Sequence, residues 1–307
     1  MLIIDGHVHI FNRVKGRNSM GKTASDCNGR IRINNAVNSF IPPCPGKTAF
    51  TVDELNELMG RNGVEKAVIV QNPTIGSVNS EIERAVTGTP GKFAGTVQVD
   101  PRSGNAAATI RRFARVPGFR ALKLEMSEGW GWTGIHKGLR YSDESILALV
   151  KATADSGLHV MIDPGPIGNP GYDMAAIRAL ADRYPNTIFQ IEHLGYRIPA
   201  NEQDSADIAQ WNQCIDLGIR KNVYIGYSAV GSLLEEEYPC EKSLRLLEHA
   251  VSRIGEDKII WGTDAPVTLN KYTYKQMIDS VLCHTSLNER QISKIVGLNV
   301  DKLYFAL

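Results

Sequence analysis

Short runs rich in β-branched residues alternate with longer amphipathic stretches along nearly the whole chain. The two periods, two residues and 3.6 residues, predict strands and helices in turn. The runs at Leu2 to His9, Glu65 to Gln71, Phe93 to Val99, Ala121 to Glu125, Val160 to Asp163, Ile188 to His193, Val223 to Tyr227 and Ile259 to Thr263 predict eight strands. Thr51-Val52-Asp53-Glu54 reads as a capping box in front of Leu55, Leu58 and Met59, and so opens a helix. Further helices are predicted over about 80–87, 104–114, 143–156, 173–183, 204–217, 240–253 and 271–283.

Strands separated by helices pair in parallel, because a tight turn cannot join two parallel strands. Eight such units in 307 residues predict an α/β protein: a single (β/α)₈ barrel domain over residues 1–307. An open doubly wound sheet is the alternative, but no strand is followed by the glycine-rich phosphate turn that would favour it. Two connections are long, about 10–50 after the first strand and Met126 to Tyr141 after the fourth. Both follow strand C-termini, the end where barrel enzymes keep their active sites, and both are read as binding loops. Residues 287–307 predict one or two extra helices outside the barrel.

Composition narrows the partners. With 34 Lys plus Arg against 33 Asp plus Glu, the chain has no global field to gather nucleic acid or an anionic membrane surface, so a small molecule is the expected partner. Homo-oligomerisation is left open. Cysteines 27, 44, 214, 240 and 283 contain no Cys-x-x-Cys pair, which argues against a disulfide framework or a thiolate zinc site. The opening Met1-Leu2-Ile3-Ile4-Asp5-Gly6 carries no basic leader, and no apolar run reaches membrane-spanning length. A cytoplasmic protein is expected.

His7-Val8-His9 ends the first strand, and strand alternation turns both imidazoles to one side. Two inward imidazoles form half of a metal site. His193 at the end of the sixth strand and Asp264 just past the eighth reach the same rim, where a carboxylate could bind the ion and accept a proton from water. Asp264 could instead cap a helix ahead of Ala265-Pro266. Lys123 and Glu125 share one face of the fourth strand, either beside substrate or as a buried ion pair. Trp130 and Trp132 alternate with glycine in a segment that could close over a ring or pack on its own barrel. Arg13, Lys15, Arg17, Lys22, Arg30 and Arg32 in the first loop read as a solvated run or a carboxylate clamp; Arg197, just past His193, is better placed for that task.

Four segments taken together resemble a known family. Ile4-Asp5-Gly6-His7-Val8-His9, Ile191-Glu192-His193-Leu194-Gly195, Trp261-Gly262-Thr263-Asp264-Ala265-Pro266 and the terminal Val296-Gly297-Leu298-Asn299-Val300-Asp301-Lys302-Leu303-Tyr304 look like the amidohydrolase-2 branch of the amidohydrolase superfamily, in the expected order. That branch holds decarboxylases of small unsaturated or aromatic acids and hydrolases that open lactones. The resemblance implies a TIM-barrel enzyme in which His7, His9 and Asp264 hold one divalent ion, zinc or manganese. It further implies that His193 acts on substrate or metal, and that Lys123 lies near substrate.

One position departs from the pattern. Metal-dependent members usually carry a histidine ligand at the end of the fifth strand, whereas this chain has Asp163. Asp163 could still coordinate a divalent ion; equally, an aspartate there is common among the family's lactone hydrolases, some of which work without metal. His159 lies at the far end of that strand, His136 in the long loop could stand in as a ligand, and Glu125 could complete the set. The expectation is hydrolysis of a lactone or related ester of a small carboxylated acid, with Asp264 activating water. Metal-dependent decarboxylation or hydration on the same scaffold is the alternative, and a barrel that only binds its ligand is a third reading.

Overall fold

The computed structural model describes residues 1–195 and 205–306. All eight predicted strands are present, as Ile4–His9, Lys66–Val70, Phe93–Val97, Phe119–Glu125, His159–Asp163, Phe189–Ile191, Val223–Tyr227 and Ile259–Trp261. They form one parallel sheet in chain order. The sheet closes on itself where His9 N–H donates to Ala265 O and Asp264 N–H donates to His7 O, both at 2.8 Å. That closure seats Asp264 directly beside the histidines of the first strand.

Strand alternation separates two cores. Val8, Ile69, Leu122, Leu124, Ile162 and Ile191 face outward against the surrounding helices, while Ile4, Val68, Val70, Ala94, Ala121, Met161, Tyr224 and Ile260 fill the barrel interior. Helix starts follow local chemistry: Thr51 and Glu54 close the predicted capping box on Val52–Arg61, and Thr273 with Gln276 makes another on Tyr274–His284.

Two expectations need correction. The first long connection is no irregular loop. It folds into a four-stranded antiparallel sheet, Lys15–Asn18, Gly21–Ser25, Arg30–Ile33 and Ala36–Ser39. It rests on the loops after the second and fourth barrel strands, where Thr23 Oγ1 donates to Thr74 O at 2.6 Å and Ser19 Oγ to Gly129 O at 3.1 Å. The C-terminal helical turns, expected outside the barrel, close its floor: Val300 and Tyr304 pack among the interior residues. No helix among the described residues is long and apolar enough to cross a membrane.

Candidate active site

A cavity of about 730 Å³, counting its open mouth, lies at the C-terminal end of the strands. His7, His9, Lys123, Glu125, Asp163, His193 and Asp264 line it, so residues from three strands and from the segments just past two others meet there. Trp130 and Phe40 form part of its wall, their rings stacked with centroids 6.4 Å apart. Trp130 is 43% exposed, whereas Trp132, its predicted companion, is 5% exposed and stacks on His136 instead.

The ligand atoms of His7, His9 and Asp264 lie within 4.8 Å of one another. Their protons can be assigned from their partners. His7 Nδ1 faces the Glu192 carboxylate at 2.7 Å and His9 Nδ1 faces the Val70 carbonyl at 3.1 Å, both acceptors only, so each Nδ1 carries the hydrogen. With the hydrogen on Nδ1, each ring turns its Nε2 toward Asp264 Oδ1, at 3.5 Å from His7 and 3.0 Å from His9. Three electron-pair donors aimed at one point repel unless a cation or proton sits among them. The donor set therefore fits a divalent ion. Burial pushes the His7 pKa down against the pull of Glu192, which keeps the ring neutral.

His193 and Asp163 make a second, opposite arrangement. His193 Nδ1 faces the Ser228 carbonyl at 2.9 Å and its Nε2 faces Asp163 Oδ2 at 3.2 Å, so both ring nitrogens have acceptors. Burial disfavours a charged ring, yet Asp163 overrides it and raises His193 to about 9. Burial would also raise Asp163, but His193 and Lys123 hold it well below the usual carboxylate range. The structure thus places Asp163 on His193 and Lys123, outside the converging trio, and places Glu125 on Ser127 Oγ at 2.6 Å. Asp264 is depressed to about 2: burial opposes this, and the His9 contact and the charge of His193 outweigh it.

Lys123 is 1% exposed, with its ammonium 3.4 Å from Glu125 and 3.9 Å from Asp163. Among the described cavity-lining side chains it carries the one buried polar atom without a hydrogen-bond partner. Glu125 is pushed up to about 8 by burial and by Asp163, against Lys123.

Backbone strain coincides with this chemistry. His193 and Asp264 hold left-handed φ values of 57° and 61° without being glycine, a conformation costing about 1–3 kcal/mol that clusters at functional sites. The Asp264 carboxylate faces the histidines and does not cap the following turn. Two glycines make room: a Cβ on Gly226 would lie 2.6 Å from Glu192 Oε2, and one on Gly262 would lie 2.7 Å from His7 Cβ.

Other candidates fall elsewhere. His136 pairs with Asp100 at 2.7 Å, and His159 packs edge-on against Tyr304 at the barrel floor. The six basic residues of the first connection are all exposed and none lines the cavity. Arg197 lies outside the described residues. The residue patterns passed over Glu192, Phe40 and Asp5; the Asp5 carboxylate ties the first strand to Thr263 and Tyr274 at the seam.

The titrations fall into two opposing groups. Glu125 and His193 bind protons more tightly when folded, so their contributions to stability are complete below about 4.5 and 6.5 and are lost as pH rises through about 8 and 9. Asp264 works oppositely and matters only in strong acid. The melting temperature of chelator-treated protein is expected to fall from about pH 6 to about pH 9. Glu125→Gln should flatten the fall below about pH 8. A flat or rising wild-type profile would contradict these assignments.

A family model described as amidohydrolase matches residues 4–306. No curated protein matches the chain significantly. Among solved structures, a probable 2-pyrone-4,6-dicarboxylic acid hydrolase from Acinetobacter baumannii with citric acid bound is 15% identical, at TM-score 0.69 over 99% of both chains. An amidohydrolase from Burkholderia multivorans with bound zinc is 15% identical, at TM-score 0.70 over 99% of both. A 5-carboxyvanillate decarboxylase from Novosphingobium aromaticivorans, complexed with manganese and a nitrobenzoic acid, is 17% identical, at TM-score 0.56 over 81% of this chain and 79% of that one. At such identities these likenesses show the fold.

Proposed function

Because the chain belongs to the amidohydrolase family, we propose that it is a hydrolase opening a lactone or related ester of a small carboxylated organic acid. The observation that carries this reading is the division of protons across one cavity. The Asp264 carboxylate faces the histidine pair, 3.0 Å from His9 Nε2, with its proton affinity lowered, while His193 Nε2 meets the Asp163 carboxylate at 3.2 Å, which raises its own. Acid and base roles are assigned where two groups are pushed apart in this way.

Water attacks the carbonyl carbon and its proton passes to Asp264 Oδ. The acyl C–O bond then breaks, and the leaving oxygen takes a proton from His193 Nε2. Lys123, buried and with no hydrogen-bond partner of its own, pairs with an anionic oxygen of the substrate. Phe40 and Trp130 offer flat surface to a planar ring and exclude bulk water. His7, His9 and Asp264 would hold one zinc or manganese ion, which when bound polarises oxygen ligands and acidifies water, suiting a base of low proton affinity. A cytoplasmic setting belongs to the same proposal and is supported by five unpaired cysteines.

The test is a panel of small carboxylated lactones and ortho-hydroxybenzoic acids, followed by proton release and by evolved carbon dioxide. Proton release with one solvent oxygen in the product supports hydrolysis; carbon dioxide from the aromatic acids overturns it in favour of decarboxylation. Trp130→Ala is expected to raise KM about tenfold with kcat nearly unchanged, since it removes ring contact worth about 1 kcal/mol or more. An unchanged KM would place the substrate away from that wall.

A further inference from the structure

A chain of buried hydrogen bonds descends the barrel from the mouth to the floor. Tyr304 Oη donates to Gln190 Oε1 at 2.6 Å, Gln190 Nε2 donates to Glu192 Oε1 at 2.6 Å, and Glu192 Oε2 meets His7 Nδ1 at 2.7 Å. All four side chains are buried. Tyr304 belongs to the last helical turn, Asp301–Phe305, and the other three to the sixth and first barrel strands and their ends.

The polarity of each link constrains the next. A phenol facing an amide oxygen donates, which holds the Gln190 amide with its NH₂ toward Glu192. Reversing that amide would set its oxygen against a carboxylate oxygen, two fully buried acceptors facing each other with no hydrogen between them. With NH₂ on one oxygen, Glu192 stays an acceptor on the other. His7 then carries its hydrogen on Nδ1 and leaves Nε2 bare toward the cavity. The room for this carboxylate is itself built in, since any side chain at Gly226 would collide with it.

We propose that Tyr304 and Gln190 are positioning residues for His7, setting its tautomer through Glu192 from the opposite end of the barrel. The tautomer needs no metal. Only the consequence for metal affinity rests on the proposed function.

The test is nitrogen-15 NMR of histidine-labelled, metal-free protein, with the His7 resonances assigned by His7→Gln. The wild type is expected to show His7 protonated at Nδ1 alone. Gln190→Met should produce mixed tautomers and lower the affinity for Mn²⁺ about tenfold or more, the effect usual when the partner of a ligating histidine is disturbed. Tyr304→Phe, which removes one oxygen and keeps the ring, should shift both readouts in the same direction by less. Hydrogen on Nε2 in the wild type, or an unaltered His7 spectrum in both variants, overturns the proposal. Should Gln190→Met fail to fold, the wild-type spectrum and Tyr304→Phe decide alone. A protein that binds no Mn²⁺ but shows the expected tautomer changes ends the metal reading and leaves this one standing.

Discussion

Asp264→Asn is expected to fold with a melting temperature close to the wild type and to lose about 10³-fold in kcat/KM, within the usual range for a displaced acid or base. Asparagine keeps the shape of the side chain. Its NH₂ can meet the bare Nε2 of His9, which now faces Asp264 Oδ1 at 3.0 Å, so the metal-free fold loses no contact. What disappears is the negative charge and the site that takes the proton. Steady-state kinetics beside thermal melting checks this. Activity within tenfold of the wild type would remove Asp264 as the proton acceptor.

The second large effect is expected at Lys123. Removing a buried charge usually strands its partners, but here the partners are already accommodated. Glu125 is raised to about 8 and so is largely protonated at neutral pH, while Asp163 keeps His193. Lys123→Met should therefore stay folded. The binding of an anionic substrate should suffer instead: loss of a charge-assisted hydrogen bond from a buried ammonium is worth about 1.5–3 kcal/mol, so KM is expected to rise about 10- to 100-fold with a smaller change in kcat. An unchanged KM would assign Lys123 to the barrel's internal charge balance alone.

How much of this was legible from residue order depends on the kind of signal. The eight barrel strands were, because a strand covered on both faces leaves a short β-branched run whatever its surroundings. The antiparallel sheet over residues 15–39 was passed over although Arg30-Ile31-Arg32-Ile33 alternates outward and inward as an amphipathic strand should. Its charges drew attention from its period. The floor helix was misplaced because Val300 and Tyr304 look alike whether a helix packs outside a barrel or into its end.

The site shows the same division. Alternation turns His7 and His9 to one side, and the two imidazoles share the cavity. Alternation applied to the sixth strand would send Gln190 and Glu192 inward and His193 outward. All three face the interior because the backbone turns left-handed at His193, with Leu194 following at φ 51°. Residue types do not announce that turn, although Gly195 just after it is consistent with one. Glu192 was therefore visible by parity and was overlooked beside its more conspicuous neighbour. Phe40 could not have been placed, since its position depends on how a whole inserted sheet settles on the rim.

His7, His9 and Asp264 form one centre, with Asp163 committed to His193 across the cavity. Anomalous diffraction from crystals equilibrated with Mn²⁺ or Zn²⁺ tests it most directly. The predicted result is a single peak bonded to His7 Nε2, His9 Nε2 and an Asp264 oxygen, with Asp163 still on His193. A peak between Asp163 and His193, or a loaded protein with no density at the three, would contradict it.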